Sequence, residues 1–205
     1  MDVPRISQEN PLVLASDSPR RKRLLNQLGL PFRAIPSSID EERIGADPQE
    51  EVLILGIEKA RSVQPEVEGA WVLGADTLVT SGEEEILLKP KDPEDACRML
   101  RLLSGRSHRV FTGFCLLDPL GSPAHCEAVE TEVQFKLLTE KEIQGYVRTG
   151  EPFGKAGAYG IQGLGAFMVE SISGSYTSVV GLPVCALIKA LLATGALETF
   201  PLPVA

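Results

Sequence analysis

Four stretches of this chain carry side chains suited to handling a polyanion. The first is Leu14-Ala15-Ser16-Asp17-Ser18-Pro19-Arg20-Arg21, where a hydroxyl-rich turn opens onto two arginines. Free backbone N–H groups at a helix start attract an anion, and guanidinium forks match phosphate oxygens. A capped helix with a solvated basic face would read the same way. No Walker loop is present, because no suitably spaced Gly-Lys-Ser or Gly-Lys-Thr follows a glycine. The second stretch is Gly74-Ala75-Asp76-Thr77 after an apolar run. A carboxylate at a strand end stands where α/β proteins place ligands, and it can bind a hard cation or orient water. A turn aspartate bonded to its own backbone is the plainer alternative. The third is a set of isolated charges: Lys59, Lys89 before Pro90, Lys155, and Glu41 with Glu42 in an acidic loop. Each is a candidate phosphate or metal contact, although most such charges in proteins are simply solvated. The fourth runs from Gly154 to Gly165, with five glycines in twelve residues and Lys155 and Gln162 as polar handles. It suits neither helix nor strand. Ala, Tyr, Ile and Leu between the glycines point to an ordered, partly buried loop that lets backbone approach a ligand.

The elements that must position these residues alternate irregularly. The apolar run 12–15 reads as a buried strand, followed by a helix capped by Ser18 with Pro19 at its first position and ended by Gly29. Residues 32–35 read as a strand, 48–60 as a helix, and 71–73 as a strand leading into Gly74-Ala75-Asp76-Thr77. Residues 78–80 and 85–88 flank Ser81-Gly82 as a hairpin. Asp92 and Pro93 open a third helix with Ala96, Met99, Leu100 and Leu103 on its inner face. Strands at 110–117 and 128–137 follow, around a turn at 118–123, and Thr139 with Glu142 forms the capping box of a fourth helix. A strand at 167–172 and an apolar, buried helix at 183–193 complete the chain. Hairpins mixed with helices predict an α/β fold with a mixed sheet.

Composition narrows the chemistry. The 205 residues, 43% hydrophobic, suffice for one domain with a real core. Mean hydropathy is +0.05, no apolar run reaches membrane-spanning length, and the first ten residues lack the apolar core of a secretion signal. A net charge of −8 argues against nucleic acid as a partner. Cys97, Cys115, Cys126 and Cys185 form no CxxC pair and read as free thiols of a reducing cytosol. With only His108 and His125 present, a His-rich zinc site and a Ser-His-Asp triad are both poor fits. Carboxylates, lysines, arginines and an oxygen-held metal remain.

The four stretches, joined by Ile39-Asp40-Glu41-Glu42, Glu58-Lys59-Ala60, Lys89-Pro90, Leu103-Ser104-Gly105 and Phe111-Thr112-Gly113, have an order and spacing that resemble the Maf family of nucleoside triphosphate pyrophosphatases. The resemblance spans about residues 12–192. One departure is Asp17, where that pattern has a small residue; its charge would weaken an adjacent phosphate site or join a metal site. The resemblance implies a single Maf-like domain over 1–205, with its core at about 11–195. It also implies a mixed twisted sheet with flanking helices, two lobes around a central cleft, and a fold similar to the inosine triphosphate pyrophosphatases. It further implies a cytoplasmic enzyme that converts a nucleoside triphosphate to monophosphate and pyrophosphate. The forms around Asp76 and Gln162 look like the branch acting on dTTP and UTP, with Arg20, Thr77 and Gln162 associated with substrate selection. Ser16, Arg20, Arg21, Lys59, Lys89 and Lys155 would then hold the phosphates. Asp76 would be catalytic, and Glu41 with Asp76 would bind Mg²⁺, Mn²⁺ or Co²⁺. The expected partner is the nucleotide, without nucleic acid or membrane, and the oligomeric state stays open up to a homodimer. Two rivals stand beside this reading. One is a nucleotide-binding regulator of septum formation with little turnover. The other, a dinucleotide oxidoreductase, is weakened because the glycine-rich segment follows a helix-like stretch.

Overall fold

The computed structural model describes residues 4–39, 47–81 and 85–202. The apolar run near the N-terminus forms β1 (Leu12–Leu14), wholly buried, as a strand covered on both faces must be. It pairs in parallel with β2 (Phe32–Ala34) and with β3 (Val72–Thr80). A short β4 (Ile86–Leu87) runs antiparallel to β3, matching Val79 with Leu87. With β5 (Ser107–Leu117), β6 (Pro123–Phe135) and β7 (Val169–Ser173), these strands make a mixed seven-stranded sheet. Its order is β2-β1-β3-β5-β6-β7, with β4 beside β3. The helices are α1 (Pro19–Gln27), α2 (Pro48–Val63), α3 (Pro93–Leu103), α4 (Glu140–Arg148), α5 (Tyr176–Val180) and α6 (Val184–Ala193).

Local chemistry accounts for the helix limits. Ser18, Asp47, Asp92 and Thr139 each accept a backbone N–H of the first turn through their side chains. The first three helices carry proline in the opening turn, where the missing N–H costs nothing. The expected capping box of Thr139 and Glu142 is present in full.

The chain divides into two compact units. One holds Met1–Asp76, Thr112–Ala128 and Gly181–Ala205; the other holds Thr77–Phe111 and Val129–Val180. In the first, Val13, Ala15, Ala60, Val63, Val72, Cys115 and Leu117 form part of the core. In the second, Leu100, Val110, Phe135, Ile143 and Tyr159 are among the buried centre. All four cysteines are thiols, Cys115 and Cys126 lying with Sγ atoms 2.6 Å apart.

Three expectations need correction. The Gly74-Ala75-Asp76-Thr77 segment does not follow a strand that ends at 73; it lies inside the nine-residue β3. Gly74 is required by packing, since a Cβ there would overlap the Gly56 carbonyl and stand 2.6 Å from Ala60 N on α2. Strand β6 begins at Pro123, not near 128. Asp118 closes a tight turn by accepting Leu120 N and Ser122 N, both at 2.9 Å, so pairing resumes at once. Helix α6 buries one face through Leu187, Ala190 and Leu191, while Cys185 and Leu192 are exposed. Helix α5, started by Ser175 Oγ accepting Ser178 N at 3.2 Å, was not foreseen. Of the expected Ser81-Gly82 turn, Gly82 lies outside the described residues.

Candidate functional site

In the first unit, the turn after β1 is built around one hydroxyl. Ser16 is buried, and its Oγ accepts both Ser18 N and Arg21 Nη1 at 3.2 Å. A serine hydroxyl has two acceptor lone pairs and one proton. With both lone pairs engaged, Ser16 is left to act as a donor. Arg21 is buried and donates through Nε to Gly181 O at 2.8 Å, so it orients Ser16 and anchors the start of α1. Arg20, next to it, is half-buried, and burial holds its pKa below the ordinary arginine value. No carboxylate among the described residues pairs with it. A partly dehydrated cation at a helix start suits an anion. The unexpected charge at Asp17 is answered locally: its side chain is 77% exposed and pairs with Lys22 at 2.6 Å.

Lys59 on α2 and Asp76 on β3 form a buried ion pair. Nζ lies 2.5 Å from Oδ1, with the side chains only 5% and 11% exposed. By sequence, Lys59 reads as a phosphate contact and Asp76 as a separate acid. The structure brings the two together, 17 residues apart in sequence, so Lys59 acts first on Asp76. Glu41 and Glu42 lie outside the described residues. Among those described, no group of three His, Cys, Asp or Glu side chains gathers in a way that could hold a metal ion.

In the second unit, Thr77 follows Asp76 on β3 and is half-buried; strand alternation turns the two side chains to opposite faces. Lys89 is exposed just past β4, ahead of buried Pro90. The glycine-rich segment is ordered, with 3₁₀ turns at Ala156–Ala158 and Leu164–Met168. Ala158 holds φ at +58°, a left-handed conformation uncommon for a residue with a Cβ. Lys155 is half-buried and donates to the Glu151 carbonyl. Gln162 is exposed.

Sequence reasoning missed two supports of this loop. Tyr159 is buried, and its hydroxyl lies 2.9 Å from His108 Nε2. Both rings pack edge-on against Phe135 with centroids 4.8 Å apart. Burial pushes the His108 imidazole down to about 4 and raises the Tyr159 phenol. The second support is Glu151. Tyr146 Oη donates to its Oε1 at 3.0 Å, Leu164 N to Oε2 at 2.8 Å, and Gly165 N to Oε1 at 3.0 Å. The only available signal was an acid placed just before a glycine-rich run.

A family model described as Maf-like protein matches residues 11–194. A relative from Syntrophotalea carbinolica is 50% identical over 92% of this chain and 87% of its own length. A second, from Geobacter sp. (strain M21), is 51% identical over 91% of this chain and 96% of its own length. A third, from Thermococcus kodakarensis, is 51% identical over 84% of this chain and 91% of its own length. All three bear the name dTTP/UTP pyrophosphatase. Among solved structures, the Staphylococcus aureus Ham1 protein aligns with 62% of this chain and 72% of its own. Its TM-score is 0.45 and its identity 12%.

Proposed function

The chain belongs to the Maf family, and on that premise we propose that it hydrolyses dTTP and UTP to the nucleoside monophosphate and pyrophosphate. The observation that carries this reading is the roughly half-identical sequence, over 91–92% of the chain, of relatives so named. The local chemistry supports it. A triphosphate carries about four negative charges and calls for fixed donors. Ser16 with its O–H left to donate, Arg20 with its partly desolvated guanidinium, Lys89 and Lys155 supply them. Arg21 serves indirectly, by orienting Ser16. Lys59 fixes the Asp76 carboxylate by occupying Oδ1, which leaves Oδ2 to orient the attacking water and receive its proton. Water adds to the α-phosphorus, the bridging P–O bond to the β-phosphate breaks, and pyrophosphate leaves. Gln162 and Thr77 read the base.

A carboxylate such as Asp76 has the oxygen chemistry of a divalent-cation ligand. A bound Mg²⁺, Mn²⁺ or Co²⁺ on Asp76 and Glu41 would neutralise phosphate charge and lower the pKa of its water. Among the described residues, no helix is long and apolar enough to cross a membrane. The need for a nucleoside triphosphate pool is the reason to assign the enzyme to the cytoplasm.

The test is pyrophosphate release from dTTP, UTP, CTP, ATP and GTP, with Mg²⁺ and with excess chelator. Turnover of dTTP and UTP above the others, lost in chelator, is expected. Tight nucleotide binding without turnover would favour the regulatory rival, and a purine preference would overturn the base assignment.

A further inference from the structure

Glycine-rich loops are usually explained by a ligand their backbone must touch. Much of this loop is instead moulded on one of the protein's own carboxylates. A Cβ at Gly163 would overlap Oε2 of Glu151 and stand 2.7 Å from its carboxyl carbon. At Gly160 it would stand 3.2 Å from Oε1 and 2.9 Å from Lys155 Cε. The N–H groups of Leu164 and Gly165 converge on that carboxylate from beyond Gln162. Gly160 N, on the near side of Gln162, donates at 3.0 Å to Tyr146 Oη, which itself donates to Glu151. The main-chain carbonyl of Glu151 receives the Lys155 ammonium. One residue thus fastens the backbone on both sides of Gln162, directly beyond it and through Tyr146 before it, and also holds Lys155. Hydrogen bonds to an ionised carboxylate are stronger than neutral ones.

We infer that Glu151 is the positioning residue for base recognition, holding the Gln162 amide and the Lys155 ammonium in one fixed relation. The inference rests on the proposed reading of Gln162 as the base reader. Burial opposes ionisation of Glu151, but the two backbone N–H groups, the Tyr146 hydroxyl and the Lys155 charge outweigh it. They hold its carboxyl below the usual glutamate value. The chain's own acid therefore fills the anion-accepting concavity made by Leu164 N and Gly165 N. Lys155 and Gln162, not those two amides, are then left to meet the nucleotide.

The experiment compares the full-length wild type with Glu151→Gln and Tyr146→Phe. It measures kcat and KM for dTTP, UTP and CTP well below the melting temperature of each protein. In Glu151→Gln the ratio of kcat/KM for dTTP over CTP should fall about tenfold, chiefly through a raised KM for dTTP. Tyr146→Phe keeps the carboxylate and loses one donor, so it should shift the ratio in the same direction by less. It decides the matter alone if Glu151→Gln does not fold. A lowered melting temperature with the ratio unchanged would make Glu151 merely structural and overturn the inference. A wild type with no dTTP preference would show first that Gln162 does not read the base, and the inference would fall with that reading.

Discussion

At Asp76, the pairing with Lys59 decides what a substitution can report. Asp76→Asn should lower turnover by about 10² or more, the usual loss for a removed base. It should also destabilise the protein by about 3 kcal/mol, because the buried Lys59 ammonium loses the charge of the carboxylate 2.5 Å away. Lys59→Met should do comparable damage to stability. If the pair acts as a unit, the double variant will cost less than the sum of the singles by more than about 1 kcal/mol, read from urea midpoints. Strict additivity would show the contact to be incidental. For Gln162→Ala, dTTP and UTP turnover should fall more than CTP turnover. An amide that matches the carbonyl and N–H edge of thymine or uracil loses a paired partner, worth about 1–3 kcal/mol. Equal losses on all bases would leave Gln162 a loop residue only. His108 gives a pH signature. Its folded value, about 4, lies below the ordinary 6.5 or so of histidine. The unfolded chain therefore takes up the proton first as pH falls. The stability held by neutral His108 is complete above about pH 6.5 and drains away toward pH 4, by about 3 kcal/mol. Urea midpoints at pH 7 and 4.5 should separate more in the wild type than in His108→Phe.

Among the elements, those with local causes were legible and those with distant causes were not. Helices α1, α3 and α4 were read nearly to the residue because their caps, prolines and apolar periodicity lie within a few positions of one another. Strand β3 runs past the apolar run at 71–73 through Gly74 and Asp76, both poor strand formers by composition. What keeps Gly74 in a strand is the backbone of α2 against it, which composition cannot reveal. The same reason hid the Lys59–Asp76 pair and the hold of Glu151 on amides 13 and 14 residues further on. The residue types of the site were visible, but their partners were not. Two substitutions test this division. Thr139→Ala removes a local cap and should cost about 1 kcal/mol by thermal unfolding. Gly74→Ala, although the smallest possible change, should cost more, about 1–3 kcal/mol or beyond, because backbone cannot move aside cheaply.

For the molecule as a whole, a chain of net charge −8 must admit a substrate that is itself strongly negative. The screening length shrinks from about 30 Å at 0.01 M salt to about 10 Å at 0.1 M. Raising salt across that range should therefore increase kcat/KM for dTTP, as long-range repulsion is screened before the short-range contacts of Arg20 and Lys155. A fall would show that local cations already steer the encounter. The path of the chain has another consequence. It passes between the two compact units four times, after Asp76, Phe111, Ala128 and Val180. Neither unit is a continuous stretch of gene. A single crossover between two relatives, wherever it falls, mixes parental sequence inside at least one unit. A single crossover therefore cannot trade these units as modules. Chimeras that swap the segments Thr77–Phe111 and Val129–Val180 together should outlast, on heating, single-crossover chimeras of the same parents.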